Sequence, residues 1–302
     1  MKKVWSFFRR GGFVLLLALI LLAGEVTLRR TDPVKYMTSI WRNDYELIAL
    51  EHPDMTFRRA VYGSSVVISG FMEERSRSGY ANLGMDYGTI QDLMEMLDKG
   101  LLTVEEDLVI ALNDSSFMDT MDTNESYPWH REWYQPYLYF QRDRLEAWVT
   151  KGVNNWLRGE KFISIRWPDQ QRAVYRGALS DEKLAESEKR IVGLFGDVTL
   201  EDCRENFAAL DELAEYCREK GICLRALWMP WNGKTAVYPS AQTIMDEANA
   251  RLAQLGIPTL DLTHDKVPDE WLYDMGHLSY EEGAPAFTDY IDPWLLKEVE
   301  TL

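Results

Sequence analysis

Five short apolar runs alternate with segments of helical periodicity in this 302-residue chain, and most of the runs end at a glycine, an asparagine or another turn residue. The runs lie at 59–62, 80–83, 107–112, 222–228 and 258–261. The helical segments lie at 89–99, 200–220, 241–255 and 281–296, and the first three of them stop at Gly100, Gly221 and Gly256. Strands that alternate with helices need crossover connections, which argues for an α/β fold with a doubly wound, mainly parallel sheet. Residues 115–195 interrupt the alternation. They are rich in Trp, Tyr and Arg and read as a helical or irregular insertion.

The first thirty residues have a different character. The basic segment Lys2 to Arg10 precedes an uninterrupted apolar run from Phe13 to Gly24. Leu21 and Ala23 do not form a small-x-small cleavage site, and from Gly11 to Leu28 the stretch reaches about 27 Å as a helix. This reads as an uncleaved signal anchor, with Glu25 at its end and the body outside the cytoplasm; a cleaved signal peptide is the alternative. Trp5, Phe7 and Phe8 suit the headgroup level. The expected organisation is a tail and anchor at 1–30, a membrane-proximal connector at 31–58 and a catalytic domain at 59–302, with the insertion at 115–195.

Charge narrows the partners. The net charge is −16, while residues 1–30 carry six basic side chains against Glu25 alone, so the remainder holds −21. A body this acidic is a poor nucleic-acid binder, since phosphate neutralisation supplies most of that affinity. Three cysteines are too few for a disulfide framework; Cys217 and Cys223 can pair, and all three also read as small apolar residues. No Cys/His/Asp/Glu set has metal-ligand spacing, no glycine-rich phosphate loop follows a strand, and Gly-x-Ser-x-Gly is absent. Neither metal nor cofactor is expected.

The chemistry-bearing residues gather at strand carboxyl ends, where ligands bind in doubly wound sheets. Ser65 follows Gly63-Ser64 at the end of the first run, Gly84 ends the second, and Asn113 ends the third. Asp274-Met-Gly-His277 can supply a base and its orienting carboxylate from one loop. The backbone N–H groups of Ser65 and Gly84 and the side-chain amide of Asn113 can form an oxyanion hole. Taken singly, each of these features is also an ordinary turn or loop.

In this order the blocks Tyr62-Gly63-Ser64-Ser65, Asn82-Leu83-Gly84, Ala111-Leu112-Asn113-Asp114 and Asp274-Met275-Gly276-His277 resemble those of the SGNH (GDSL-type) hydrolases, over about 59–114 and 222–296. Ser64 stands in place of the Asp of Gly-Asp-Ser, and Ala111 in place of the Gly of the third block. The resemblance implies a flavodoxin-like SGNH fold, with Ser65 as nucleophile, His277 as base and Asp274 as its orienter. The membrane anchor and Gly-Ser-Ser are similar to the SGNH-like proteins that work beside membrane-bound O-acyltransferases in cell-envelope polysaccharide acylation. The expected function is thus an extracytoplasmic O-acyltransferase or acyl esterase with an acyl-serine intermediate, a polysaccharide acceptor and a membrane-bound O-acyltransferase as partner. A non-catalytic scaffold and a plain secreted carbohydrate esterase are the alternatives. Trp129, Trp133, Arg166 and Trp167 are candidate sugar-stacking residues, with cap packing or a membrane or partner contact as the other readings of that stretch.

Overall fold

The computed structural model describes residues 2–37, 39–121, 123–162, 172–264 and 266–297, with side chains from residue 11 onward. In chain order the first elements are α1 (Lys2–Thr31), α2 (Pro33–Tyr36), α3 (Asp44–Glu51), β1 (Thr56–Gly63), α4 (Ser65–Gly70), β2 (Ala81–Gly84), α5 (Ile90–Asp98) and β3 (Thr103–Leu112). Then follow α6 (Tyr137–Phe140), α7 (Arg142–Leu157), α8 (Asp181–Phe195), α9 (Arg204–Lys220), β4 (Cys223–Trp228), α10 (Pro239–Gln254), β5 (Thr259–Asp261) and α11 (Gly283–Leu295). They group into two compact units, one of residues 1–43 and 125–170, the other of residues 44–124 and 171–302. The expected connector and the expected insertion are therefore each shared between the two units.

The second unit holds a five-stranded, all-parallel sheet of order β2-β1-β3-β4-β5. The order reverses between β1 and β3, so their carboxyl ends flank a topological switch point. Although the strands read as continuous apolar runs, alternate residues still face opposite sides. Val61, Val109, Ala111 and Leu227 pack with Val66 and Val67 of α4 and with Phe287 and Ile291 of α11. On the opposite side Trp228 is buried and its indole N–H donates to Asn249 of α10 (2.8 Å), while α9 packs on β4 and on α5. β1 and β3 each begin a few residues earlier than their apolar runs. Thr56 and Phe57 pair with Thr103 and Val104, and the register shifts before Arg59 pairs with Asp107. That irregularity puts polar residues inside the strands and hides their starts from an apolar pattern.

Arg225 of β4 is fully buried. It pairs with Asp107 of β3 (2.9 Å), donates to the Trp294 carbonyl (2.9 Å) and to the Tyr80 hydroxyl, and so ties the sheet to the end of α11.

In the first unit, α1 contains a 21-residue segment, Gly11–Thr31, long and apolar enough to cross a membrane. Its Thr27 and Thr31 hydroxyls donate back to the carbonyls of Ala23 (2.7 Å) and Thr27 (2.9 Å), which satisfies them inside the helix itself. Asp32 breaks the helix in a left-handed conformation (φ 36°) before Pro33 opens α2. The Tyr137 hydroxyl holds this corner, donating to Asp32 (2.7 Å) and accepting from the Val34 N–H (3.0 Å). Val34, Ile40 and Tyr137 make a small core with Leu28, Leu145 and Trp148.

Candidate active site

β1 ends at Gly63, and α4 starts two residues later with Ser65 as its first residue. A Cβ on Gly63 would lie 2.5 Å from the Ala111 carbonyl oxygen, so only glycine lets β1 run flush against β3 here. The turn leaves Ser65 at the start of α4, where its N–H has no intrahelical acceptor. The Ser65 Oγ lies 2.8 Å from His277 Nε2. On the other side of the ring, Nδ1 is 2.9 and 3.0 Å from the two oxygens of Asp274. A carboxylate only accepts, so Nδ1 carries the proton and Nε2 is left to accept the Ser65 hydroxyl proton.

Asp274 also accepts the backbone N–H groups of Gly276 (3.1 Å) and His277 (2.9 Å). Burial pushes its carboxyl up, but the hydrogen bond and charge of His277, together with these two donors, outweigh that and hold it below its ordinary value. Asn232, in the turn after β4, fixes the loop by donating its side-chain amide to the Asp274 carbonyl (2.9 Å) and its N–H to the Met275 carbonyl (2.8 Å). The Leu179 N–H, just before α8, donates to the Tyr273 carbonyl (2.8 Å) and holds the same loop from another side.

Asn113 points its Oδ1 into its own turn, where it accepts from the Ser116 N–H (3.1 Å) and from the Ser115 and Ser116 hydroxyls (3.0 and 2.8 Å). Three donors on Oδ1 fix the amide orientation and leave Nδ2 as a donor at the cavity wall. Gly84 behaves differently from the expectation. Its N–H donates to Asn82 Oδ1 (2.9 Å), its carbonyl accepts from Arg172, and a Cβ there would lie 2.6 Å from the Ile68 nitrogen. Among the described residues it is Asp86 and Tyr87, not Gly84, that line the cavity beside Ser65. Tyr87 takes a left-handed conformation (φ 56°) to make that turn. An Asn-x-Gly segment favours a side-chain turn of this kind, and that is the signal that points away from Gly84 as a free donor.

The cavity has a volume of about 590 Å³ and is lined wholly by residues of the second unit. One wall carries Ser65, Asn113 and His277; α8 supplies the other with Lys183, Glu186, Arg190 and Ile191, which share one helical face. Tyr175 closes the site over the imidazole, its ring stacked on His277 at 4.1 Å between centroids and 26° between planes. Burial pushes its hydroxyl far up and the charges of Asp274 and Asp86 add to this, with a hydrogen bond from Ser65 acting in the opposite direction. Burial in the cleft and the neighbouring Asp44 raise the Asp86 carboxyl, with His277 acting in the opposite direction. Ser64 lines the cavity with a buried Oγ that makes no hydrogen bond among the described residues. Among the described residues no cluster of three or more His, Cys, Asp or Glu side chains suits a metal ion.

Of the sugar-stacking candidates, neither Trp129 nor Trp133 is among the residues that line this cavity. Trp129 is buried and stacked on Tyr127 at 4.4 Å, so its ring face is not open to a glycan. Trp133 is 84% exposed and belongs, like Trp129, to the first unit. Arg166 and Trp167 lie outside the described residues. Tyr175, Asn232 and Arg172 are site residues that the sequence did not single out. Asn232-Gly233 directly follows a strand end, which is a usable signal; Tyr175 and Arg172 carry none. Compared with known proteins, the chain matches no family model and no curated sequence.

Proposed function

We propose that this protein is a membrane-anchored, SGNH-type serine acyltransferase or acyl esterase that acts outside the cytoplasm on O-acyl groups of a cell-envelope polysaccharide. The observation that carries this reading is the continuous hydrogen-bonded chain from Ser65 through His277 to Asp274. In the first step Ser65 Oγ attacks the acyl carbonyl carbon as its proton passes to His277 Nε2, and Asp274 stabilises the imidazolium. The Ser65 N–H and Asn113 Nδ2 are the donors offered to the developing oxyanion. Collapse breaks the bond to the leaving alcohol, which takes the proton from His277 and leaves an acyl ester on Ser65. A glycan hydroxyl or water then attacks that ester, gives its proton to His277, and restores the free serine.

The polysaccharide acceptor, the membrane-bound O-acyltransferase partner and the extracytoplasmic location rest on the resemblance of the four sequence blocks and on the basic residues ahead of the apolar run. The cavity is large enough for a ligand well beyond an acetyl group. The reading is tested by following acid release from small acyl esters and acyl transfer to added envelope oligosaccharide, for wild type and Ser65→Ala at equal protein level. Loss of both in the variant supports it. Undiminished polymer acylation by Ser65→Ala contradicts it and favours a scaffold.

A further inference from the structure

The aromatic segment that precedes α6 is bound to the last two turns of the apolar helix. Glu25 accepts the Tyr137 N–H (2.5 Å), and Arg29, itself paired with Glu25, donates to the carbonyls of Trp133 (3.4 Å) and Gln135. These contacts lie wholly within the first unit. The span Gly11–Thr31 contains 21 residues, which make about 31 Å of helix against a hydrocarbon core of about 30 Å. Glu25 and Arg29 fall inside that span, so residues 133–137 sit at the depth of its C-terminal end. The two charged side chains supply partners to the Tyr137 N–H and to the Trp133 and Gln135 carbonyls, which lowers the cost of placing this backbone beside the bilayer.

Around these contacts most of the outward side chains are apolar or amphipathic, with Glu132 the exposed charged exception. Trp133 is 84%, Tyr134 63%, Leu138 55% and Tyr139 49% exposed. Trp and Tyr are the side chains that favour the headgroup level, since their rings are apolar and their N–H and O–H groups find water or lipid oxygen. We propose that Trp133, Tyr134 and Leu138 form a membrane-interface foot, seated in the phospholipid headgroup layer of the leaflet through which the C-terminal end of α1 emerges. The occupant is lipid, because the patch is continuous with the lipid-facing helix and tied to it by Glu25 and Arg29. The foot rests on α1 as a membrane span and is independent of the serine chemistry.

The test uses the full-length chain reconstituted in phosphatidylcholine vesicles, with and without bromine on the acyl chains near the interface. Flotation after an alkaline wash checks that α1 holds the protein in the bilayer. Tryptophan emission is then compared for wild type, Trp133→Phe and Trp156→Phe. Trp156, at the end of α7, is 67% exposed but makes none of the contacts to α1 described above. The proposal expects the lipid-quenchable share of the emission to fall in Trp133→Phe and to stay at the wild-type level in Trp156→Phe. Protein that floats but shows equal quenching in wild type and Trp133→Phe overturns the foot while leaving the anchor standing. Protein that fails to float overturns both.

Discussion

The ring of Tyr175 lies flat on the imidazole of His277, 4.1 Å away, on the side of the site that the triad hydrogen bonds leave uncovered. The backbone carbonyl of Tyr175 is held by the Tyr280 N–H (2.8 Å), so the stack is anchored to the same loop that carries His277. Under the proposed function, it makes Tyr175 a positioning residue for His277. Tyr175→Ala should lower kcat by roughly tenfold to a hundredfold, the cost of a misplaced catalytic group, with a smaller effect on KM. Tyr175→Phe should keep most of the activity. Steady-state kinetics on a soluble ester check this, and equal loss in both variants would assign the effect to the hydroxyl rather than the stack.

Asp274 sets the tautomer of His277. Asp274→Asn should cost about 10⁴ in kcat, as replacing an orienting carboxylate by an amide presents the wrong partner to Nδ1. The same residue has a pH signature. Its carboxyl is held below the ordinary value, so it contributes stability that is present above the unfolded value of about 3.9 and is lost as pH falls through the lower folded value. Urea unfolding between pH 2 and 6 should therefore show a wild-type advantage over Asp274→Asn that is level above about pH 5 and shrinks toward pH 2. An advantage that grows on acidification would contradict the assignment.

Gly63 is fixed by its neighbour across the sheet. Gly63→Ala places a methyl group 2.5 Å from the Ala111 carbonyl oxygen and 2.6 Å from Val67 Cγ2, so β1 must shift against both β3 and α4 two residues before Ser65. Thermal unfolding should show a loss of about 1–3 kcal/mol, with activity falling further than stability does. An active variant of unchanged stability would show that the strand ends move freely.

The cysteines are free, and burial pushes the thiols of Cys203 and Cys217 up to about 12. Neither should react with a thiol reagent in the folded protein at pH 8, and both should react on denaturation. Mass analysis of the labelled protein checks this; labelling of Cys203 or Cys217 without unfolding would contradict their burial.

Much of this architecture was legible in local pattern. Gly63-Ser64-Ser65, Asn113 and the Asp274–His277 loop announce themselves because each is a turn directly after an apolar run or a short-range acid–base pair. The five parallel strands follow from the same alternation. Gly84 was misleading for a local reason too, since Asn82 two residues earlier takes its N–H. Tyr175 was hidden because its partner is about a hundred residues away, and the surrounding stretch is uniformly aromatic. The same uniformity hid the difference between Trp129, which stacks inward on Tyr127, and Trp133, which faces outward. Burial in the folded chain, not propensity, separates those two.

The central claim is that Ser65 forms a covalent acyl ester, and intact-mass analysis of the purified full-length protein in detergent tests it most directly. After incubation with an activated acyl ester, wild type should gain the mass of one acyl group, and Ser65→Ala should gain none. An adduct of equal yield on folded Ser65→Ala, or no adduct and no released acid from folded wild type, would contradict the account.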